Sequence, residues 1–188
     1  MVRERQLVEL GEELFAERGF AKASMDELAR RAGVTKPVIY ELFGSKEGLF
    51  RACLEGLALR LAEAIAAAAR GADAAGEEPD PEARLRAGGR AFLRFASENR
   101  VAYELLYEGR FSDAAVSVRR RQAALILELM REMAPDDVDP QELEVAANAV
   151  NSAYEGVAHW MWDHPEMDVE RLAEWTVELL LPGLRRFT

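Results

Sequence analysis

Few side chains in this 188-residue chain could perform covalent chemistry. It has two histidines, His159 and His164, and a single cysteine, Cys53. Neither a serine, histidine and aspartate set nor a glycine-rich phosphate loop stands out. One cysteine excludes an intramolecular disulfide and a zinc site built from several cysteines. The sequence therefore predicts a protein that is not an enzyme and that carries no cofactor.

A metal site is the sharpest alternative chemistry. Glu155, His159 and Asp163 recur every fourth residue, which places them on one face of a helix. Carboxylate and imidazole groups so arranged could hold zinc together with a water molecule. Pairing of a histidine with acids on a helix surface explains the same spacing. The main prediction contains no metal, and a metal-responsive regulator using these three residues is kept as an alternative.

Residues 35–38 carry groups that could read DNA bases. Thr35 and Lys36 offer a hydroxyl and an amine for base edges or phosphates, and Pro37 and Val38 could pack on a thymine methyl. Such a segment reads DNA when it begins a helix that enters the major groove. The hypothesis therefore depends on whether the surrounding sequence forms a helix-turn-helix.

The residues before this segment predict that motif. Apolar residues between Leu7 and Phe15 form one face of a first helix, which Gly19 is expected to end. A capping box at residues 24–27 begins a second helix, which ends at Gly33 after about two turns. Two short helices joined by a turn, and leaning on a first helix, form a helix-turn-helix.

The second helix of the motif and its successor are also delimited by their sequence. Thr35 is the predicted N-cap, and Pro37 is tolerated in the first turn because early amides lack helical partners. Gly44 ends this helix, and Ser45 caps a long fourth helix that continues to Arg70. The apolar positions of the short helix are Ile39, Leu42 and Phe43.

Four runs in this stretch form a specific, ordered pattern over residues 7–50. They are Phe15–Phe20 (FAERGF), Asp26–Ala29 (DELA), Ala32–Val34 (AGV) and Ile39–Phe50 (IYELFGSKEGLF). The pattern resembles the DNA-binding domain of TetR-family transcriptional regulators. The resemblance implies a homodimer with an N-terminal helix-turn-helix and a divergent helical C-terminal domain that binds a small effector.

The resemblance also implies which residues contact DNA. Tyr40 and Lys46 match positions that grip phosphates, and Ser24 matches a capping hydroxyl that faces the DNA backbone. A helix N-terminus beside Lys46 would favour a phosphate independently. Glu41 departs from the family pattern and receives no role. The predicted DNA-binding residues are Ser24, Thr35, Lys36, Pro37, Val38, Tyr40 and Lys46.

The charge distribution divides the chain. Its net charge is −10, from 24 basic and 34 acidic residues, which would repel DNA if it were uniform. Residues 1–52, however, hold nine of each and are neutral, so the whole −10 belongs to the remainder. The split suggests two tasks in one chain. An acidic body could also limit unspecific binding to DNA.

Helical apolar periodicity recurs near 82–98, 100–109, 113–133, 140–163 and 168–186, with no competing strand pattern. Asp80, Asp139 and Asp168 are predicted N-caps, and the last helix is expected to stop at Pro182. The fold prediction is all-α. Residues 1–46 would form a three-helix DNA-binding domain, and residues 47–188 a larger effector-binding and dimerisation domain.

Two surfaces are predicted in the larger domain. Aromatic residues with a few polar groups could wall a small-molecule pocket, and the last two helices are apolar over an arc wide enough to need a partner copy. An ordinary core within one protomer explains part of both patterns. The predicted pocket residues are Phe92, Phe95, Tyr103, Tyr107, Phe111, Asn151, Glu155, His159 and Trp162. The predicted dimer residues are Ala146, Val150, Ala153, Val157, Trp175 and Leu179.

The predicted function is a sequence-specific transcriptional regulator, a repressor by family analogy. Its partners would be a pseudo-palindromic double-stranded DNA operator, a small effector of unknown class and a second copy of the chain. No membrane segment or targeting signal is recognised, and the cytoplasm is the expected compartment. The alternative from a different functional class is a helical homodimeric interaction protein whose helix-turn-helix does not read DNA.

Overall fold

The computed structural model describes residues 2–72, 80–100, 103 and 113–187, and every regular element in these ranges is helical. The predicted all-α class is confirmed. The helices are α1 (Val2–Lys22), α2 (Met25–Ala32), α3 (Lys36–Phe43), α4 (Lys46–Arg70), α5 (Pro81–Glu98), α6 (Asp113–Arg131), α7 (Pro140–Asp163) and α8 (Val169–Leu184), followed by a 3₁₀ turn (Arg185–Phe187). None of these helices is long and apolar enough to cross a membrane.

The chain divides into two compact units. The first comprises Met1–Leu59 with Arg100–Val118, and the second comprises Arg60–Asn99 with Arg119–Thr188. The predicted domain boundary after residue 46 stays a prediction. The helix predicted over 100–109 lies almost wholly outside the described residues.

The first unit is organised around buried apolar side chains from α1 to the start of α4. Phe15 has no exposed surface, and its ring lies 5.8 Å from that of Phe20 and 5.1 Å from that of Phe50. Gly11 on α1 faces Cys53 on α4 so closely that a Cβ at residue 11 would lie 3.0 Å from the sulfur. Close packing of this kind fixes α1, α2 and α3 against the start of α4.

In the second unit, α5 packs against α7 and α8. Ion pairs reinforce the contact of α5 with α8: Arg90 lies 2.8 Å from Glu170, and Arg86 pairs with Glu174. Both pairs lie at the surface, where their contribution to the free energy of unfolding is about 0–1 kcal/mol each. Apolar burial therefore carries most of the stability of this contact.

The three aspartate caps are confirmed. Asp80, Asp139 and Asp168 each accept a hydrogen bond from a backbone amide in the first turn of α5, α7 and α8, at 2.8–3.0 Å. Each bond satisfies an amide that has no partner within its helix.

One predicted helix end is confirmed and one is wrong. Gly19 interrupts the helix as predicted, with φ of 71°, but its ψ of 161° is not the left-handed helical value, and helical residues resume after it as far as Lys22. Helix α8 includes Pro182 and ends at Leu184. A proline so near the end removes a single amide donor, and burial of Leu184 holds the last turn in place.

Candidate nucleic-acid interface and ligand cavity

A left-handed glycine forms the turn between α2 and α3. Gly33 has φ of 64° and ψ of 31°, and the amide of Val34 donates to the carbonyl of Ala29 at 3.0 Å. Glycine adopts this conformation at little cost, whereas other residues are strained there. The turn closes within a few residues, and α3 begins at Lys36, directly after the predicted N-cap.

Helix α3 has one buried side and one open side. Ile39 is 1% exposed and belongs to the core of the first unit. The open side carries residues that could meet DNA, because no described part of the unit covers them. Its exposed members are Thr35, Lys36, Pro37 and Tyr40, with half-buried Val38 among them.

Three details of this region differ from the sequence-based expectation. Leu42, predicted to face inward, is exposed. Ser24 and Thr35 occupy N-cap positions as predicted, but neither hydroxyl makes a capping hydrogen bond, so no capping box forms at residues 24–27. Neither hydroxyl is therefore committed to its own helix, and each can bond a phosphate or a base edge.

Lys36 is held by an acid of the neighbouring helix. Its Nζ lies 2.9 Å from the Oδ2 of Asp26, and this hydrogen bond raises the pKa of Lys36 above its ordinary value. Both side chains are exposed, so the pair is weak. Lys36 can exchange it for a guanine or a phosphate at small cost.

Lys46 is positioned at the first residue of α4. Its Nζ donates to the carbonyl of Ala21 at 3.2 Å and lies 4.8 Å from the ring centroid of Phe20. An ammonium has three donors, so two remain for a phosphate. Helix α4 begins there because the Ser45 hydroxyl accepts from the amide of Gly48 at 3.0 Å.

The same corner requires a glycine. A Cβ at residue 48 would lie 1.9 Å from the carbonyl oxygen of Phe43. The backbone of α4 thus passes directly over the end of α3, and any larger residue would force the two apart.

An ion-pair network joins α1 to α2. Arg31 donates to both carboxylate oxygens of Glu17, at 3.0 and 2.7 Å, and to Glu27 at 2.5 Å. The hydrogen bonds raise the pKa of Arg31, and the bond from Arg31 lowers the pKa of Glu17. The bidentate geometry fixes the two helices in register.

The second unit contains a cavity of about 80 Å³. Its described lining comes from α4 to α8 and from the 3₁₀ turn, and it is almost entirely apolar. Met130 and Met133 contribute flexible side chains, which adapt to irregular spaces. The cavity is confined to one unit, with polar groups converging from α7.

Two of those polar groups, Asn151 and Tyr154, are orphaned. They are 5% and 3% exposed, and neither Asn151 Oδ1 nor Tyr154 Oη has a hydrogen-bond partner among the described residues. A buried polar atom left unpaired costs about 1–3 kcal/mol. Burial also raises the pKa of the Tyr154 phenol, which therefore stays protonated and can donate.

Glu155 lies beside these groups without lining the cavity. Its Oε1 accepts from Nδ2 of Asn151 at 2.9 Å, and burial raises the pKa of the Glu155 carboxyl. The hydrogen bond opposes that shift because it favours the charged form. This hydrogen bond thus orients the Asn151 amide so that its Oδ1 faces away from Glu155.

The structure distributes the predicted pocket residues unevenly. Of the set, only Phe92 and Asn151 belong to the described cavity lining. Phe95, Glu155, His159 and Trp162 lie in the same unit but outside that lining, and Tyr103 is buried in the first unit. Tyr107 and Phe111 lie outside the described residues.

The alternative metal site does not form. No group of three or more His, Cys, Asp or Glu side chains within the described ranges could hold a metal ion, and Glu155, His159 and Asp163 all lie in those ranges. The ring of His159 instead packs edge-on against that of Trp162, with ring centroids 5.7 Å apart. Equal spacing on a helix did not bring the three groups together.

Helices α7 and α8 also carry exposed apolar residues. Val145 and Trp160 lie on α7, and Trp175 and Leu179 lie on α8, with Leu179 80% exposed. Of the predicted dimer residues, Trp175 and Leu179 are exposed and Ala153 and Val157 half-buried. Ala146 and Val150 are already buried within the protomer, where Val150 lines the cavity.

Two family models match the chain in succession. Residues 7–53 match the model described as bacterial regulatory proteins, tetR family. Residues 81–183 match the model described as tetracyclin repressor-like, C-terminal domain. Between them they contain both the helix-turn-helix and most of the cavity lining.

Individual relatives align with nearly the whole of this chain. The HTH-type transcriptional activator FasR of Mycolicibacterium smegmatis is 30% identical over 97% of this chain and 83% of its own. A TetR-like regulator from Rhodococcus sp. RHA1 is 32% identical with a TM-score of 0.68, covering 97% and 96% of the two chains. The regulator PfmR of Thermus thermophilus is 26% identical with a TM-score of 0.63, covering 96% and 99%.

Proposed function

Because the chain belongs to the TetR family of bacterial regulatory proteins, we propose that it is a homodimeric repressor released from its operator by a small effector. Its role as a DNA-binding transcriptional regulator is the role of its relatives. The dimer, the operator, the effector and the sign of control are the proposal. It includes no catalytic step, and it assigns the protein to the cytoplasm, where a bacterial operator lies.

The DNA-binding part of the proposal is supported mainly by the exposed side of α3. Thr35, Lys36 and Tyr40 are exposed on a helix whose opposite side is anchored by Ile39. We propose that Thr35–Val38 read base edges while Ser24, Tyr40 and Lys46 bind phosphates. Two copies would read half-sites about 34–36 Å apart, or a multiple of that distance.

Helix α4 offers a route from effector to DNA. It begins with Lys46 and later contributes Ile65 and Ala69 to the cavity lining. A ligand that displaces these two side chains would move α4 and change the separation of the two reading heads. Operator affinity then falls because only one separation fits successive grooves.

The exposed apolar residues of α7 and α8 support the dimer. Leu179 and Val145 are large apolar side chains left in solvent, and burying such groups against a second copy would be favourable. Ala153 and Val157 retain partial exposure for the same contact. Ala146 and Val150 would serve the protomer rather than the partner.

Selection of genomic DNA tests the proposal. Purified protein is mixed with fragmented DNA from the source genome at two salt concentrations, and the recovered fragments are sequenced. An inverted repeat shared by a few sites supports the specific dimer. Recovery of background alone would instead favour the helical interaction protein with a non-reading helix-turn-helix.

The recovered operator then tests the phosphate assignment of Lys46. Lys46→Met keeps the apolar stem on Phe20 but removes one charge, so affinity should fall alike for all sequences. The slope of log K against log salt should shrink by about one unit. Arg131→Met removes a charge from the second unit and is the matched control. Equal slopes in both variants would contradict the assignment.

The sign of control is tested separately. FasR is named an activator, so the opposite sign is the specific alternative. Deleting the gene should raise transcription of the neighbouring promoter if the protein represses it. Lower transcription in the deletion strain would establish activation.

A further inference from the structure

The cavity of the second unit has an apolar wall with a polar end. Leu129, Met130 and Phe92 are among its apolar members, and the polar end is formed by Asn151 and Tyr154. These two residues are three apart on α7 and therefore share a face of the helix. A ligand in this cavity would meet hydrocarbon along its length and hydrogen-bonding groups at one end.

The amide of Asn151 is oriented by Glu155. Its Nδ2 donates to Glu155 Oε1 at 2.9 Å, which leaves Oδ1 as the unused end. That oxygen is buried and lacks a partner among the described residues. It can only accept, so a matching ligand group must supply an N–H or an O–H.

The hydroxyl of Tyr154 is placed over Gly89. A Cβ at residue 89 would lie 1.9 Å from Oη, so α5 has a glycine where the phenol approaches it. Oη has no hydrogen-bond partner among the described residues. A hydroxyl donates and accepts, so a matching ligand group can offer a lone pair here.

A charge of either sign on the ligand would lose its hydration in this mostly apolar cavity. The cation in the described lining, Arg84, is buried and already bonded to Glu132 at 2.8 Å. Arg86 acts on the Tyr154 phenol from outside the lining, but it is paired with Glu82 and Glu174. A carboxylate could accept from Tyr154, but it would lie against the acceptor oxygen of Asn151. Glu155 would add repulsion from one residue further along α7.

We infer that the effector is a slim, uncharged, largely apolar molecule with one terminal hydroxyl or primary amide, held by Asn151 and Tyr154. The inference rests on the proposed function, since it assigns the effector to this cavity. A hydroxyl or primary amide satisfies both orphaned atoms without carrying a charge, because each group donates and accepts. Hydrogen bonds to Asn151 and Tyr154 thus select the head group, and the apolar wall selects a tail that is stabilised by leaving water.

The cavity must widen to admit a ligand, and its adaptable wall favours a flexible chain over a rigid ring. Its volume of about 80 Å³ is roughly half that of an engineered cavity that binds benzene. Met130 and Met133 can change rotamer to lengthen the space, since unbranched thioether side chains are adaptable. A single alkyl chain fits a space that widens in this way.

A matched probe series tests the inference on the full-length protein. Calorimetric titrations at pH 8 use 1-hexanol, hexanamide and sodium hexanoate, which share a tail and differ in the head group. Hexanol and hexanamide should bind, and hexanoate should bind at least tenfold more weakly. Equal or tighter binding of hexanoate would overturn the inference.

Two variants localise the head group. Tyr154→Phe and Asn151→Leu should each weaken hexanol binding about three- to tenfold, as expected for one lost hydrogen bond. Asn148→Leu is the matched control, because Asn148 lies one turn earlier on α7 and is exposed. Thermal unfolding of each variant establishes that it is folded. Unchanged hexanol affinity in both cavity variants would mean that water, not ligand, satisfies these atoms.

The operator assay separates the two proposals. Protein that binds the selected operator but none of the probes would refute the ligand class and leave the regulator intact. Protein that binds hexanol with unchanged operator affinity would uphold the ligand class and refute effector-controlled release.

Discussion

The two units of the molecule treat buried polar groups in opposite ways. In the described part of the first unit, no buried side-chain nitrogen or oxygen lacks a hydrogen-bond partner, and its core is apolar. The second unit keeps Asn151 and Tyr154 unsatisfied beside a cavity. A surface that reads DNA needs one fixed shape, whereas a site that senses a ligand must be incomplete without it.

The largest expected effect is the loss of stability when a core side chain is truncated, and it should differ between the two units. Phe15→Ala should lower the free energy of unfolding by about 3–5 kcal/mol, because the ring is fully buried among other rings. Met133→Ala, at the half-buried cavity wall, should cost about 1 kcal/mol because less surface is buried there. Denaturant unfolding monitored by circular dichroism measures both. Equal losses would show that the two cores are equally well packed.

The orphaned hydroxyl gives the second prediction. Tyr154→Phe removes a buried, unpaired oxygen and should raise the free energy of unfolding of the ligand-free protein by about 1 kcal/mol. Tyr40→Phe, which removes a hydroxyl from an exposed residue, should leave it unchanged. A loss of stability in Tyr154→Phe would indicate that water completes the site.

The third prediction concerns the charges of the first unit. Asp26→Asn removes the acid that holds Lys36, and it should tighten operator binding about two- to fivefold, as expected for an exposed pair worth about 0.5–1 kcal/mol. Glu166→Gln, at an exposed acid of the second unit, is the control. Affinity is measured by fluorescence anisotropy with the selected operator. Unchanged affinity in Asp26→Asn would contradict the prediction that Asp26 competes with DNA for Lys36.

The smallest expected effect is a pH dependence. Burial raises the pKa of Glu155 in the folded state, so the folded protein binds this proton more readily than the unfolded chain. Its contribution to stability is therefore complete below the ordinary carboxyl pKa and is lost as the pH rises through the raised one. Glu155→Gln should flatten the unfolding free energy across that interval. A slope identical to that of the parent protein would contradict this origin.

The helix-turn-helix could be predicted in detail because its signals are local. Gly33 occupies the left-handed turn, and α3 begins where Thr35 was expected to cap it. Gly19 interrupts the first helix as expected, but its ψ was misjudged because a positive φ is compatible with more than one ψ. The sequence likewise could not predict that the Ser24 and Thr35 hydroxyls make no capping hydrogen bond, since an N-cap position does not determine the side-chain rotamer.

The cavity was harder to predict because it is a space left between side chains of several helices that are distant in sequence. Phe92 and Asn151 were predicted to line it, but Met130 and Met133 look like any core residues at helical spacing. One available signal was the pair Gly88-Gly89, since two glycines inside a helix cost about 1 kcal/mol each relative to alanine. Such a pair indicates a close approach, which here is the Tyr154 phenol.

The contact of Gly11 with Cys53 has an evolutionary consequence. Since an added carbon at position 11 would lie 3.0 Å from the sulfur, the sulfur would have to give way by a few tenths of an ångström. Alanine at position 53 would remove this contact, so a lineage can enlarge position 11 more easily after reducing position 53. The two residues, far apart along the chain, should therefore change together among descendants of this protein.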